Sequence, residues 1–487
     1  MRNSIVVLLL LASPAMAAPL TPPATVAPMG PPAAAAPRKA PATTAPLTLP
    51  EVLASSRFHA PQVLEALARV RGAEGKLLSA QAAFDTVFSA QGDTRLSGYY
   101  DGRDIEAKVT QPLGTLGGQA YAGYRVSGGE FPIYEDQRYT NRLGELKAGA
   151  IFSLLRDRMI DDRRFALTLA EGDIALADAD RLMVAIGVQT RAIQAYNAWV
   201  AAGLRLRVYR DLLALAEGRQ KGFRRQVEEG ARPTILLTEN EQNILRRQTL
   251  VVQSEQALAQ ARQTLSLYVR DADGRPLLVG DDRLPATLAP PLPRAPDPRA
   301  LVAARPDLRT IDIRMRQAGQ RLALDRNALL PKLDLKVEAS QDFGEIGFGG
   351  PSRSGTDTRV GFTFSVPLQQ RAARGRIAQT NAEIDAFRQR RRFAEEQIVA
   401  EIDSLGIAAT QTARLTVLAA EEAQRADAMA VAERRRFGLG ASDFFLVNVR
   451  EEAAADAQVR RLDAAVRQVT AHADLAAATA DLDALAL

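Results

Sequence analysis

The chain contains no cysteine. Disulfides, thiol catalysis and cysteine-based metal sites are therefore excluded, and with them the lipid-attachment cysteine of some envelope proteins. Histidine is nearly as scarce. His59 and His472 are far apart and lack neighbouring ligand spacing, so they do not point to a metal site. No segment beyond the amino terminus reaches about 18 uninterrupted apolar residues, which removes a transmembrane helix and leaves strands as the means of any membrane span. The net charge is a modest +5, and basic residues are interspersed with acidic ones. There is no one-sided basic face with interleaved aromatics, so nucleic-acid binding is not indicated. Proline is missing from Ile133 to Arg232 and after Pro367, which leaves room for very long helices.

What is present begins with the pattern of a secretory signal over residues 1–17. Arg2 supplies the charge, Ile5 to Leu11 the apolar run, and Ala15-Met16-Ala17 a cleavage site. Residues 18–50, mostly Pro, Ala and Thr, read as a disordered segment. The remainder repeats itself. At an offset of 210, Leu167, Ile174, Arg181 and Val188 fall on Ile377, Ile384, Arg391 and Ile398. The same offset carries Arg224-Arg225 onto Arg434-Arg435, Gly230 onto Gly440, Leu237 onto Val447 and Glu241 onto Glu451. Two copies of one unit follow, over 51–270 and 299–487, joined by a linker at 271–298.

Each copy has the order helix, strands, very long helix, glycine turn, helix. The opening helices are expected at about 51–85 and 298–329, with Pro61 and Pro306 in matching first-turn positions. In the second copy, Leu333, Leu335, Val337 and Ala339 alternate with Asp334, Lys336, Glu338 and Ser340, and Val360, Phe362, Phe364 and Val366 repeat the pattern within a strand region at 333–367. The first copy carries a longer strand region, about 86–155, in which Gly114 to Gly118 marks a possible inserted hairpin and the strand count stays open. Six of the nine tyrosines lie between Tyr99 and Tyr139, as at a membrane–water interface or through plain strand propensity. Long helices are expected at about 157–228 and 369–437, each roughly 105 Å long at 1.5 Å per residue. Ile377, Ile384, Ile398 and Leu405, with Phe387, Ala394, Ala408 and Leu415 as a second row, form a coiled-coil-like seam. The long helices end at glycine turns at 230 and 440. The two shorter helices of each copy, stacked end to end, match the long one in length.

Two strands from the second copy and at least two from the first cannot close a barrel, and an open edge is not tolerated in lipid. The chain must oligomerise. Three copies with four strands each would supply twelve strands and twelve helical columns around one axis. The expected fold is thus an α+β membrane protein, a duplicated repeat giving a trimeric twelve-stranded β-barrel continued by an α-helical barrel, a coiled-coil tunnel.

Here the chain resembles the TolC-like outer-membrane efflux and secretion channels. The resemblance lies in the paired turns Gly230-Ala231-Arg232-Pro233 and Gly440-Ala441-Ser442-Asp443, in the strand-to-helix passages Phe364-Ser365-Val366-Pro367-Leu368 and Phe152-Ser153-Leu154-Leu155, and in the second-copy opening Arg305-Pro306-Asp307-Leu308. It implies a homotrimer in the outer membrane with its helical part in the periplasm. It also implies a periplasmic adaptor and an inner-membrane pump as partners, no cofactor and no catalysis. Gly230, Ala231, Gly438, Leu439, Gly440 and Ala441 become candidate adaptor-docking residues at the tips. Arg224, Arg225, Glu228, Glu229, Glu433, Arg434 and Arg435 become candidates for a salt- and pH-dependent tip gate. The enlarged first strand region and Arg232-Pro233 depart from the family pattern. A periplasmic adaptor with a coiled-coil hairpin is the alternative, opposed by two full repeats with alternating strands. An enzyme is opposed by the lack of any convergent polar constellation. Asp161-Asp162, Glu395-Glu396 and the basic run Arg388, Arg390, Arg391 and Arg392 read as solvated helix positions, and Gly114 to Gly118 as a turn rather than a phosphate loop.

Overall fold

The two longest helices lie in the two proline-free stretches. The computed structural model describes residues 38–39, 45–293, 297–346 and 355–487, so the signal sequence expected at 1–17 and most of 18–50 lie outside the described residues. In chain order the elements are β1 (Arg38–Lys39), α1 (Leu49–His59), α2 (Pro61–Gln81), β2 (Val87–Thr94), β3 (Arg103–Pro112), β4 (Gln119–Gly128), β5 (Glu145–Ser153), α3 (Asp162–Glu228) and α4 (Ile235–Leu265). The chain continues with β6 (Leu277–Leu278), α5 (Pro306–Asn327), β7 (Lys332–Asp342), β8 (Thr356–Ser365), α6 (Arg371–Gly438) and α7 (Phe444–Ala478). The opening helix expected at 51–85 is broken at Ala60-Pro61, because proline removes a helical amide and suits only a first turn. Pro306 likewise starts α5, after a separate 3-10 turn at Pro298–Ala304. The segment read as disordered is not so at its end, where Leu47 is buried and β1 pairs in parallel with β6.

The helices form one layer. α2 and α4 lie along one flank of α3, while α5 and α7 fill the space between α3 and α6. Asp161 starts α3 by accepting the Arg164 amide at 2.9 Å, so one of the two paired acids is a helix cap. Asp443 starts α7 in the same way, accepting the Leu446 amide at 2.7 Å. Midway along the long helices, where the short ones meet, a belt of apolar side chains is shut from solvent. Ile193, Trp199 and Val200 of α3 pack there with Leu47, Leu265, Val279 and Leu485. Each such side chain contributes about 1.5–3 kcal/mol, and Trp199→Ala would cost about 3–5 kcal/mol. The linker is held against this belt, since Leu284 lies where a side chain on Gly203 would be. Ile384 and Ile398 of the expected seam are buried on α6, but Leu415 is exposed.

The sheet corrects the strand count. Six strands run antiparallel in the order β2-β3-β4-β5-β7-β8, four from the first copy and two from the second. The twelve-stranded expectation rested on four strands per chain. The region around Gly114 to Gly118 does make an extra hairpin, β3–β4, and it is integral to the sheet. Leu116 and Gly117 take left-handed conformations there, and a side chain on Gly117 would meet the Asp157 carbonyl at 2.0 Å. The hairpin turn therefore seats directly on the sheet-to-helix passage. This turn is short, whereas 95–102 and 129–144 at the opposite end are longer.

Candidate functional site: a two-faced sheet and two helix tips

Strand alternation becomes two chemically distinct faces once the register is fixed. Phe88, Val109, Ala122, Ala148, Ala339 and Thr358 lie side by side across all six strands on one face. Their chain neighbours Ser89, Lys108, Gly123, Lys147, Ser340 and Asp357 make the matching row on the other. The first face continues through Leu335 paired with Phe362 and Leu333 with Phe364; the two phenylalanines are exposed and the two leucines half-buried. The second face is laced by cross-strand ion pairs. Lys147 bonds Glu106 and Arg125 bonds Glu145 at 2.6 Å, while Lys336 reaches Glu338 along its own strand at 3.0 Å. Tyr121, one of the expected interface tyrosines, sits on this charged face and donates its hydroxyl to Glu338. Among the described residues no helix is long and apolar enough to cross a membrane. The sheet has the faces that a barrel wall needs, apolar toward lipid and polar toward a lumen.

At the far end of the helices the two tips share one backbone solution. Gly230 has φ +71° and Gly440 φ +72°. The Ala231 amide bonds the Gln226 carbonyl at 2.8 Å, and the Ala441 amide bonds that of Arg436 at 2.9 Å. The Gly230 and Gly440 amides bond the carbonyls of Val227 and Phe437, both at 3.0 Å. These 6→1 and 5→2 pairs are Schellman closures, and the left-handed residue in them is almost always glycine. Nothing lies near the missing side chain at Gly230, Gly438 or Gly440. Leu439 is 77% exposed, and Ala231 and Ala441 are exposed as well. The tips are thus small, apolar and open.

The tips also meet each other. Phe223 packs edge-on against Phe437 and Phe444, and Arg232 lies over the Phe437 ring at 5.7 Å. Arg232, a departure from the family pattern, is therefore a clasp between the two turns. The gate candidates divide. Arg224, Arg225, Glu228, Glu229 and Arg435 are exposed and form no ion pair within the described chain. Glu433 is buried in its own turn, accepting from the Ser442 hydroxyl with Arg436 at 3.4 Å. Arg434 points instead toward Glu451, at 3.9 Å.

Glu451 belongs to a cluster that sequence reasoning did not single out. Its side chain, 0% exposed, accepts from Arg219 at 2.5 Å and from Arg247 at 3.1 Å. The Arg247 side chain is 1% exposed and also donates to the Leu212 carbonyl at 2.8 Å. Burial pushes the Arg247 guanidinium below its ordinary range, and the Glu451 carboxylate works against that shift. The cluster ties α3, α4 and α7 together just above the tips. Arg219 and Arg247 have no counterparts under the repeat offset, where Met429 and Ala457 stand, so the repeat gave no signal for them. On α6, Arg388 pairs with Asp385, Arg391 with Asp312 and Glu395, and Arg392 with Glu396, while Arg390 lies over the Phe387 ring at 5.6 Å. His472 donates from Nδ1 to the Leu292 carbonyl at 2.8 Å.

No protein-family model matches the chain, and no curated protein matches it significantly. Solved structures do match. The Vibrio cholerae outer membrane protein VceC aligns over 88% of this chain and 95% of its own, with a TM-score of 0.61 and 16% identity. The open state of the Neisseria gonorrhoeae MtrE outer membrane channel aligns over 88% of both chains, with a TM-score of 0.63 and 15% identity. The Campylobacter jejuni CmeC outer membrane channel aligns over 88% and 85%, with a TM-score of 0.62 and 12% identity. The chain has the fold of these outer-membrane channels, and the resemblance read from its sequence holds at the level of fold.

Proposed function

We propose that the chain is the outer-membrane exit duct of a tripartite efflux or secretion system. It works as a homotrimer and conducts substrates from a periplasmic adaptor and inner-membrane pump to the exterior, with no chemical step of its own. The observation that carries this reading is one chain joining a sheet with an apolar and a charged face to two helices of 67 and 68 residues that end in paired open turns. At 1.5 Å per residue these helices reach about 100 Å, enough to carry a passage deep into the periplasm. The likeness to outer-membrane channels supports the same reading.

Within it, Gly230, Ala231, Gly438, Leu439, Gly440 and Ala441 are the adaptor-docking surface. A side-chain-free backbone lets a partner approach closely, and Leu439 offers an apolar anchor. Arg224, Arg225, Glu228, Glu229 and Arg435 are the free charges of a tip gate, while Arg434 and Glu433 hold its base. Membrane fractionation followed by gel analysis without heating tests the whole. A heat-modifiable trimer in the outer-membrane fraction is expected. A soluble periplasmic monomer would refute the duct and favour the adaptor alternative.

A further inference from the structure

The sheet ends in two open edges. β2 and β8 each have one neighbour, and every residue of both strands is exposed. The strands run 8 to 11 residues, the length that spans a bilayer core when tilted. Because the apolar and charged rows cross all six strands without interruption, the β3–β4 hairpin is part of the wall and not an appendage to it. An edge strand cannot face lipid unpaired.

The helical layer has open flanks on the same two sides. β2 follows α2, and Leu64 and Leu78 of α2 with Leu245 and Val252 of α4 are exposed on that flank's helices. β8 leads into α6, where Phe393, Ile407 and Leu418 are exposed. One neighbour of complementary shape would cover edge and flank together, and a second copy of this chain has both.

The widths agree. With strands about 4.8 Å apart and tilted about 40°, six strands occupy an arc of roughly 38 Å. Four helical columns at about 9–10 Å spacing occupy roughly 36–40 Å. Four strands would fill only about 25 Å and would force the wall to narrow sharply where helices become strands.

Resting on the trimeric duct proposed above, we infer that β8 of each copy pairs antiparallel with β2 of the next, closing an 18-stranded barrel rather than a 12-stranded one. The barrel wall is then roughly 36 Å across instead of roughly 24 Å, and continues the helical tube at about the same width. The β3–β4 hairpin is the insertion that widens it.

The lack of cysteine makes the test direct. Ser89 of β2 faces the lumen row, as do Asp357, Arg359, Gly361 and Thr363 of β8, whereas Thr358, Val360 and Phe362 face outward. Ser89→Cys is combined in turn with cysteine at each of these seven positions, and the trimer is oxidised in outer membranes. At least one lumen-facing pair should give crosslinked dimers and trimers, and the outward-facing positions should give none. An intact outer-membrane trimer with no crosslink at any lumen-facing pair, or with crosslinks only at outward-facing ones, would overturn the 18-stranded closure and leave the duct standing. Absence of any trimer from the outer membrane would overturn the duct reading itself. A density map of the trimer provides the second measurement: 18 strands support the inference, and 12 refute it.

Discussion

Glu451→Ala should loosen the tip end of the helical layer by several kcal/mol, although the residue touches neither lumen row nor glycine turn. A unit-charge pair at 3.1 Å is worth about 5 kcal/mol at an effective dielectric near 20. Most of that is spent in taking Arg247 and Glu451 out of water, so the intact pair adds little net stability. Removing the carboxylate is another matter. Arg247 stays buried, Arg219 loses its carboxylate, and the two cations repel with only the neutral Asn448 amide and the Leu212 carbonyl left to accept from them. Breaking a buried pair from one side costs about 3–5 kcal/mol. The repeat supplies the control. Glu241 occupies the equivalent place in the first copy, yet it is exposed and accepts only from Gln220 at 3.0 Å. Glu241→Ala should therefore change stability by about 0.5 kcal/mol or less. Hydrogen exchange of α4 and α7 amides in the purified protein reads both. Glu451→Ala should speed exchange in these segments by roughly two to four decades, and Glu241→Ala by less than about threefold. Equal effects at the two positions would refute the claim that Glu451 is the buried counter-charge holding three helices together.

Gly440→Glu places a side chain where φ is positive and no atom lies nearby, so strain of about 1–2 kcal/mol is the whole structural cost. Trimer assembly should survive while export in a transport assay is lost; normal export, or failure to assemble, would reject tip docking. Asp474, pushed above its ordinary range by burial despite a bond from Gln194 at 3.0 Å, opposes folding when ionised. Its folded pKa lies above the unfolded one, so the penalty is full above the folded value and gone below the ordinary carboxylate range near 4. Asp474→Asn should thus raise the melting temperature at neutral pH and leave it unchanged in acid; equal shifts at both would contradict the sign. Neutralising Arg224, Arg225, Glu228, Glu229 and Arg435 together should weaken the salt dependence of single-channel conductance, and an unchanged dependence would remove them from the gate.

Much of this architecture could be read from sequence because its signals are local. Proline-free stretches mark α3 and α6, Pro61 and Pro306 mark helix starts, and the period of two at Leu333 to Ala339 marks β7. Both glycine turns were visible because a left-handed closing residue is nearly always glycine. The strand count was not, because β2, Val87 to Thr94, shows no clean alternation of apolar and polar residues. Its membership in the sheet depends on a register that only pairing reveals. Arg219, Arg247 and Glu451 escaped for a related reason: a buried ion cluster drawn from three helices has no spacing along the chain.

The repeat also misleads where packing differs. Asn197 and Ile407 are equivalent positions, yet the asparagine is buried and the isoleucine is 64% exposed. Inverted from the usual preference, this has a simple origin. α3 is flanked within the chain by α2 and α4 on one side and by α5 and α7 on the other. Asn197 there is sheltered and donates to the Ile193 carbonyl at 2.8 Å. α6 has α5 and α7 on one side only. Its apolar residues Phe393, Ile407 and Leu418 have no cover in the chain, and leaving three large side chains wet forgoes about 1.5–3 kcal/mol apiece. Under the proposed assembly the neighbouring copy covers them, on the same side as the open edge of β8. The chain holds two long helices of one design, and in that assembly placement makes the first a core element and the second an interface. Polar substitution at Ile407 should therefore weaken the trimer and leave the fold of the single chain intact. The same substitution at its counterpart's neighbour Val200, which is buried in the belt, should unfold the chain before assembly is reached.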